Sequence, residues 1–204
     1  GSVLICMFIF TGCKEKQQDT VFKITIADSL NAEPLTGRLF VALSPDPEPE
    51  PRIAAYYSDR RRVARVPFFS KDIEGHVSGA VAIIDSDAVG YPLQSLKDLP
   101  KGDYYVQGLL NTYTRFERSD GHTIWANMDQ WEGQKWAFTP GNLTSKVKKV
   151  HIDPESNNDI NLELVNVIPP VEVPGDTKWV KRIKFQSKML SEFWGHPIYL
   201  GGTV

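Results

Sequence analysis

Residues 21–26 read VFKITI, and this short stretch decides the class of fold. Phe22, Ile24 and Ile26 are apolar, whereas the residues between them are polar. A period of two puts successive side chains on opposite faces of an extended chain, so the stretch predicts a half-buried β-strand. The chain around it is therefore expected to form a sheet with one face in the core.

Seven further segments have the length and composition of strands: residues 38–43, 63–69, 79–84, 104–113, 147–152, 160–164 and 179–185. Turn-forming sequences such as PKGD at 100–103 and SDG at 119–121 separate them. No stretch before Ser187 has the 3.6-residue repeat of a helix. The sequence thus predicts an all-β protein, an antiparallel immunoglobulin-like β-sandwich of about eight strands. Ser187 as N-cap and Gly195 just past the end predict one short C-terminal helix.

Composition narrows the possible functions. The 204 residues are 41% hydrophobic with a formal net charge of −2, which suits one domain with a real core. A near-neutral chain lacks the basic excess of a nucleic-acid binder, so no nucleic-acid partner is expected. Two cysteines cannot form a disulfide scaffold.

The N-terminal residues predict the compartment. Residues 3–10 read VLICMFIF, an apolar run too short to span a bilayer as a helix but suited to the core of a signal peptide. The run ends in Thr-Gly-Cys at 11–13, which resembles the lipobox of bacterial lipoproteins. That resemblance implies a lipid on Cys13, attachment to the membrane and a place in the bacterial cell envelope, on the periplasmic or the surface side of the outer membrane. Residues 1–12 would be the remnant of the signal peptide and residues 13–20 a tether.

Two segments interrupt the strand pattern. Residues 45–51 alternate proline with acid (PDPEPEP), which favours an extended polyproline conformation. Arg60, Arg61 and Arg62, with Arg65 nearby, either form a basic patch for an anionic partner or are a charged edge strand protected against aggregation. The edge strand is favoured because the acidic run lies close in sequence.

Residues 114–146 have a weak strand pattern and are the segment with the strongest indication of a binding site. A long loop in a compact domain is usually functional or packed on a partner. Flat indoles beside acids and amides are typical of sugar binding. The candidate contacts for a glycan or for a neighbouring domain are Trp125, Asp129, Trp131, Glu132 and Trp136. Internal packing of the indoles is the third alternative.

The motifs of common catalytic sites are missing from the sequence. The string GHVSG at 75–79 puts serine at the wrong place for a nucleophile elbow. The four histidines are scattered, without the short spacing of a zinc site, and no glycine-rich phosphate loop precedes a helix. No catalytic residue, metal site or cofactor is predicted for this chain.

Three longer segments together resemble one family: LPKGDYYVQ at 99–107, MDQWEGQKW at 128–136 and FWGHPIYLG at 193–201. The family is the N-terminal β-sandwich region of bacterial esterases, in which an α/β-hydrolase domain of the esterase D type follows the sandwich. The resemblance implies that the catalytic residues of the parent protein lie beyond this chain.

The domain organisation expected from these observations is a sandwich over residues 21–186. Residues 187–204 are expected to be a linker and a first strand that leads into a C-terminal domain. The chain would then be a non-catalytic accessory domain that holds the hydrolase away from the membrane and covers one of its faces. The alternative is a carbohydrate-binding module that uses the tryptophan-rich loop.

Overall fold

The computed structural model describes residues 19–30, 33–58, 66–127, 135–172 and 174–204. Residues 1–18, which include the predicted signal peptide and Cys13, and the four arginines at 60–65 lie outside these ranges, so the predictions made for them are not addressed by the structure. The described chain is all-β, as the sequence predicts, with two short helices where the sequence predicts one. Its strands are β1 Thr20–Ile26, β2 Leu35–Ser44, β3 Phe68–His76, β4 Ala82–Ile84, β5 Val89–Tyr91, β6 Gly102–Thr112, β7 Thr114–Glu117, β8 Thr123–Ala126, β9 Leu143–Ser145, β10 Lys148–Ile152, β11 Asn158–Val167, β12 Arg182–Gln186 and β13 Tyr199–Thr203. The helices are α1 Pro51–Ser58 and α2 Lys188–Trp194, and a 3₁₀ turn covers Leu96–Asp98.

Nine strands form one sheet in the order β4-β1-β11-β9-β6-β2-β3-β5, with β10 paired to β6. The sheet curls so that β3 and β4 also come into contact, which gives a sandwich-like body. Its pairs are antiparallel except β1 with β11, which run parallel in the register Thr20↔Asn158 to Ile26↔Leu164. The predicted antiparallel sandwich differs at this pair, because alternation of apolar residues fixes the face of a strand and not its direction.

The core lies inside the curled sheet. Phe22, Ile24 and Ile26 are at most 3% exposed, as the alternation in β1 predicts. The other buried members of the same cluster come from most strands of the sheet: Leu39, Val41, Leu43, Phe69, Ala82, Ile84, Ala88, Leu96, Leu99, Val106, Leu110, Leu143, Ile152, Ile160, Leu162 and Leu164. Four strands that the sequence analysis does not predict, β5, β7, β8 and β9, have three or four residues each, too few for a period of two to be recognised.

The outer face of β2 is covered by α1, which the sequence does not predict. The alternating prolines were expected to stay extended, but the last of them, Pro51, begins this helix. Proline is favoured in the first turn, where its missing N–H group has no intrahelical partner. Ala55 of α1 and Ala42 of β2 are buried together, with Trp136 packed against them.

The last 31 residues form a separate small unit. β12 pairs with β13 and not with the main sheet, so the final strand predicted for the sandwich belongs to a two-stranded sheet. Between the two strands, α2 begins after Ser187, whose Oγ accepts a hydrogen bond from the Leu190 backbone N–H, and ends at Gly195 with φ of 71°. The predicted caps of this helix are confirmed. Residues 174–204 are called the C-terminal unit below.

Candidate functional site

The two ends of the curled sheet, called the start pole and the end pole below, differ in the elements attached to them. β1, β6 and β11 run in the same direction, and their first residues lie at the start pole, where Ile152 of β10 pairs with Gly102. At the other end, Leu143 of β9 pairs both with Leu110 of β6 and with Val167 of β11. This end pole carries the β7–β8 hairpin and the C-terminal unit, because β7 follows β6 and the C-terminal unit follows β11.

The β7–β8 hairpin packs on α2 at the end pole. The backbone N–H and the hydroxyl of Ser119 both donate to the carbonyl oxygen of Phe193, at 3.0 and 2.7 Å. The Arg118 guanidinium lies 4.8 Å from the centre of the Phe193 ring, within the range of a cation–π contact. Phe116 stacks on His196 with ring centres 5.3 Å apart. The hairpin and the C-terminal unit therefore form one assembly.

This assembly leaves much apolar surface in water. None of residues 174–204 is buried, whereas buried residues occur throughout the strands of the main sheet. The register of β12 with β13 places Phe185 opposite Leu200 and Ile183 two residues along on the same face. These three side chains are 54%, 40% and 47% exposed. The other exposed large apolar side chains of the unit are Trp179, Met189, Phe193, Tyr199 and Val204.

The C-terminal unit has a net positive charge. Residues 174–204 contain five Lys or Arg and two Asp or Glu. Lys178 lies over the ring of Trp179 at 4.6 Å, and Lys181 lies 3.5 Å from Asp176. An exposed apolar patch with a polar rim is typical of a surface that binds a protein or a membrane.

The five predicted contact residues do not form one described site. Trp125 is 45% exposed on β8, at the end pole. Trp136 packs internally, with its ring stacked on Phe40 at a centroid distance of 4.5 Å. Asp129, Trp131 and Glu132 lie outside the described residues. Of the three alternatives stated for the indoles, Trp136 fits internal packing and Trp125 remains exposed for a ligand or a partner.

A network of amide groups holds Asn127 and Asn142, two residues of the tryptophan-rich segment, to the end of β6. Asn127 Nδ2 donates to Asn111 Oδ1 at 2.7 Å and to the Thr112 carbonyl at 3.0 Å. Asn142, which is fully buried, donates from Nδ2 to the same Asn111 oxygen at 3.1 Å and to the Trp136 carbonyl at 2.8 Å. Sequence reasoning misses this network, since asparagine in a polar segment gives no sign of whether its amide is buried.

A small crevice of about 330 Å³ lies beside the start of α1. Gln107 on its floor donates to Glu50 Oε2 at 2.7 Å, and Arg52 Nε donates to the same oxygen at 2.9 Å. Arg52 Nη1 also donates to the Ala137 carbonyl. Burial raises the pKa of Glu50, but the hydrogen bond from Gln107 and the charge and hydrogen bond of Arg52 outweigh it, so the pKa lies below its ordinary value. The network joins α1 to the sheet.

A histidine and an aspartate face each other on the surface between β6 and β10. His151 Nδ1 lies 2.7 Å from Asp103 Oδ1, and Lys149 Nζ lies 3.3 Å from Asp103 Oδ2. These hydrogen bonds, that with His151 first, lower the pKa of Asp103. All three side chains are more than half exposed, so the cluster is a set of surface cross-strand pairs of small energetic value.

Comparison of the chain with protein-family models, curated proteins and solved structures finds no match. Within the described residues, no helix has the length and apolar character needed to cross a bilayer.

Proposed function

We propose that this chain is the non-catalytic N-terminal accessory domain of a lipid-anchored bacterial envelope protein, and that it positions a hydrolase domain of the esterase type. The observation that carries the proposal is the uncovered apolar face of the C-terminal unit, formed by Ile183, Phe185 and Leu200. Exposed apolar side chains do not stabilise a domain on its own. In an accessory domain they provide the surface that contacts the partner domain.

Physical reasoning favours a partner on this face. A two-stranded sheet with both faces in water is marginally stable at best. Full burial of one large apolar side chain is worth about 1.5–3 kcal/mol, and these side chains are half exposed. Contact with another domain would therefore supply several kcal/mol to the C-terminal unit. The net positive charge of residues 174–204 predicts that the partner surface carries acidic groups.

The sequence supports the remaining parts of the proposal. The lipobox-like TGC at 11–13 supports a lipid on Cys13 and a place in the outer membrane. The segment FWGHPIYLG at 193–201, one of three that resemble the esterase family, covers the end of α2 and the first part of β13. The segment 193–201, which resembles the esterase family, thus belongs to the C-terminal unit, whose apolar face is exposed.

Hydrogen exchange on two proteins tests the docking. One is this chain, and the other is the longer polypeptide encoded by the reading frame beyond the codon for Val204. We expect the amides of β12 and β13 to exchange at least about tenfold more slowly in the longer polypeptide, because a docked domain stabilises the small sheet. The amides of β6, which lie in the core of the main sheet, are the internal control and should exchange equally in both. A stop codon directly after Val204, or equal exchange of β12 and β13, would overturn the proposal.

Exposure of Trp125 at the end pole favours a second candidate function, binding of a surface glycan. Its indole is 45% exposed on the hairpin, so part of the ring is accessible to a ligand. Titration with a panel of oligosaccharides, followed by tryptophan fluorescence, tests this alternative. Binding that is lost in Trp125→Ala and kept in Trp179→Ala, a second exposed tryptophan, would support it. Equal responses of the two variants would exclude it.

A further inference from the structure

We propose that the crevice beside the start of α1 binds a small hydroxycarboxylate, an organic anion that has one carboxylate and several hydroxyl groups. The crevice has a volume of about 330 Å³, at the lower end of the range of small-molecule sites. Its lining comes from the start of α1, from β6 and from residues 144–147 and 166–169. The site is separate from the apolar face of the C-terminal unit, so it does not depend on the docking of a partner domain.

Hydrogen bonds hold the floor of the crevice in one arrangement. Gln107 is only 2% exposed, and its Nε2 donates to Glu50 Oε2 at 2.7 Å and to the Ser145 carbonyl at 3.2 Å. Its Oε1 accepts from the Arg52 backbone N–H at 3.3 Å. Because this amide is fully bonded within the protein, a ligand does not have to order the floor when it binds.

Three polar groups of the lining are available to a ligand. Arg52 and Gln107 both donate to Oε2 of Glu50, which leaves Oε1 without a partner among the described residues. The Thr144 hydroxyl also lacks a partner in the described chain, although Thr144 is only 6% exposed. Lys146 is exposed and forms no ion pair with any residue that the structure describes. The crevice thus offers an acceptor, a hydroxyl group and a cation.

The charges of the lining select a monoanion. Glu50 is ionised at neutral pH, since its pKa is lowered, and it neutralises Arg52, whose side chain is 13% exposed. Lys146 then adds one positive charge that is not compensated. A dianion would meet the carboxylate of Glu50, whereas a cation would meet Arg52 and Lys146. An ammonium group on the ligand would meet the same two cations, so hydroxyl groups are the donors that suit Glu50 Oε1.

The remaining lining is apolar and suits a carbon chain. It consists of Val147, Val167, Ile168 and Pro169. A fatty acid would contact these side chains but would leave Glu50 Oε1 and the Thr144 hydroxyl desolvated without partners. A neutral polyol would leave Lys146 unpaired. A hydroxycarboxylate supplies a partner to all three groups.

Calorimetric titration of this chain with three six-carbon compounds tests the proposal. D-gluconate has the carboxylate and the hydroxyl groups, sorbitol has only the hydroxyl groups, and hexanoate has only the carboxylate. We expect gluconate to bind at least about tenfold more tightly than either of the others, because only gluconate makes the charge-assisted and the neutral hydrogen bonds together. In an NMR titration with gluconate, the amide signals of residues 144–147 should shift.

Variants test whether the named side chains bind the probe. Lys146→Gln removes an exposed charge without affecting the core, and we expect it to weaken gluconate binding about tenfold. Lys149→Gln removes the same charge three residues further on, where Lys149 Nζ lies 3.3 Å from Asp103 Oδ2, and it should bind gluconate like the wild type. Thr144→Val keeps the shape of the side chain and should weaken binding about threefold.

Four results would overturn the proposal. No binding of gluconate at about 10 mM means that the crevice has no affinity for this class of ligand. Equal binding of gluconate and sorbitol, or of gluconate and hexanoate, means that one of the two functional groups is not recognised. Equal losses in Lys146→Gln and Lys149→Gln mean that the anion is attracted by the general charge of the surface. Loss of binding in Trp125→Ala would place the ligand on the hairpin.

Discussion

Asn142 joins three parts of the chain through a single buried amide. Its Oδ1 accepts from the Thr112 backbone N–H at 3.1 Å, while its Nδ2 binds Asn111 and the Trp136 carbonyl. A side chain with these partners fixes the end of β6 to the residues that precede β9. Its removal leaves buried donors and acceptors without partners, which costs more than the net value of the hydrogen bonds themselves.

Asn142→Ala is therefore expected to destabilise the protein by about 3 kcal/mol. Urea unfolding should show a lower midpoint with an unchanged slope, since the surface exposed on unfolding stays the same. Asn161→Ala, at an exposed position of β11, is the matched control and should stay within about 0.5 kcal/mol of the wild type. Equal losses in the two variants would contradict the role of the network.

Glu50 gives the protein a pH dependence whose sign follows from its surroundings. Its pKa is lowered in the folded state, so its ionised form stabilises the fold, and this contribution is lost as the pH falls through the folded-state pKa. The wild type should be more stable than Glu50→Gln at pH 7 by urea unfolding, and the difference should shrink as the pH falls below the ordinary glutamate value of 4.5. Asn161→Ala, which removes no ionisable group from an exposed position of β11, is the control and should keep the pH dependence of the wild type. A difference that grows toward acid pH would contradict the assigned contacts.

The sequence alone predicts which side chains of β1 face the core. It does not predict which polar side chains are buried. Phe22 and Ile24 alternate with polar residues, which predicts that both face the core, and both are buried in the structure. Asn142 has no such pattern around it, and its burial depends on Asn111, 31 residues away along the chain. Gln107 likewise sits in an apolar strand while its amide meets the ion pair of Glu50 and Arg52. Contacts of this kind are set by tertiary structure.

At the scale of elements, Trp136 connects α1 to the sheet. Its ring is stacked on Phe40 of β2 and makes an edge contact with Tyr56 of α1, with ring centres 6.0 Å apart. The sequence presents it as one of three tryptophans in a single loop, and nothing in that pattern separates it from Trp125. What separates them is α1, an eight-residue helix whose apolar repeat is too short to be recognised from the sequence.

Trp136→Ala is expected to cost about 2–3 kcal/mol, somewhat below the value for a fully buried aromatic residue, because the side chain is only half-buried. The loss should appear as a lower urea midpoint and as faster hydrogen exchange in α1. Trp125→Ala removes an indole of the same size from the exposed hairpin and should cost about 0.5 kcal/mol or less. If the two variants lose the same stability, Trp136 does not hold α1 to the sheet.

The C-terminal helix shows what an element-level signal can predict. Ser187 and Gly195 are recognisable caps because each supplies a local property, a side-chain acceptor and a left-handed backbone, that needs no distant partner. The sequence does not predict the pairing of β12 with β13, because an alternating pattern indicates a strand but not the strand with which it pairs. Local side-chain and backbone properties thus predict where a helix begins and ends. Where the element packs in the molecule depends on tertiary contacts.

On the scale of the whole molecule, the C-terminal unit and the main sheet do not share a core. Phe185→Ser and Ile183→Ser, combined, should therefore leave the urea midpoint of the main sheet unchanged. Binding of a fluorescent hydrophobic dye should fall by about half, because two of the three side chains of the exposed apolar face become polar. Val89→Ser, at another exposed apolar position, should leave dye binding unchanged. A double variant that unfolds at a clearly lower urea concentration would show that the unit stabilises the sheet.

The parallel pairing of β1 with β11 also constrains when the protein can fold. A ribosome makes β1 first, and β4, its neighbour on one side, follows at Ala82, but Asn158 of β11 comes 138 residues after its partner Thr20. β1 thus remains without its parallel neighbour until most of the chain has been synthesised. Non-local pairing of this kind slows folding to milliseconds or longer. The core can therefore close around β1 only after β11 has been made, and a chain cut short before Asn158 would lack Ile160, Leu162 and Leu164 of that core.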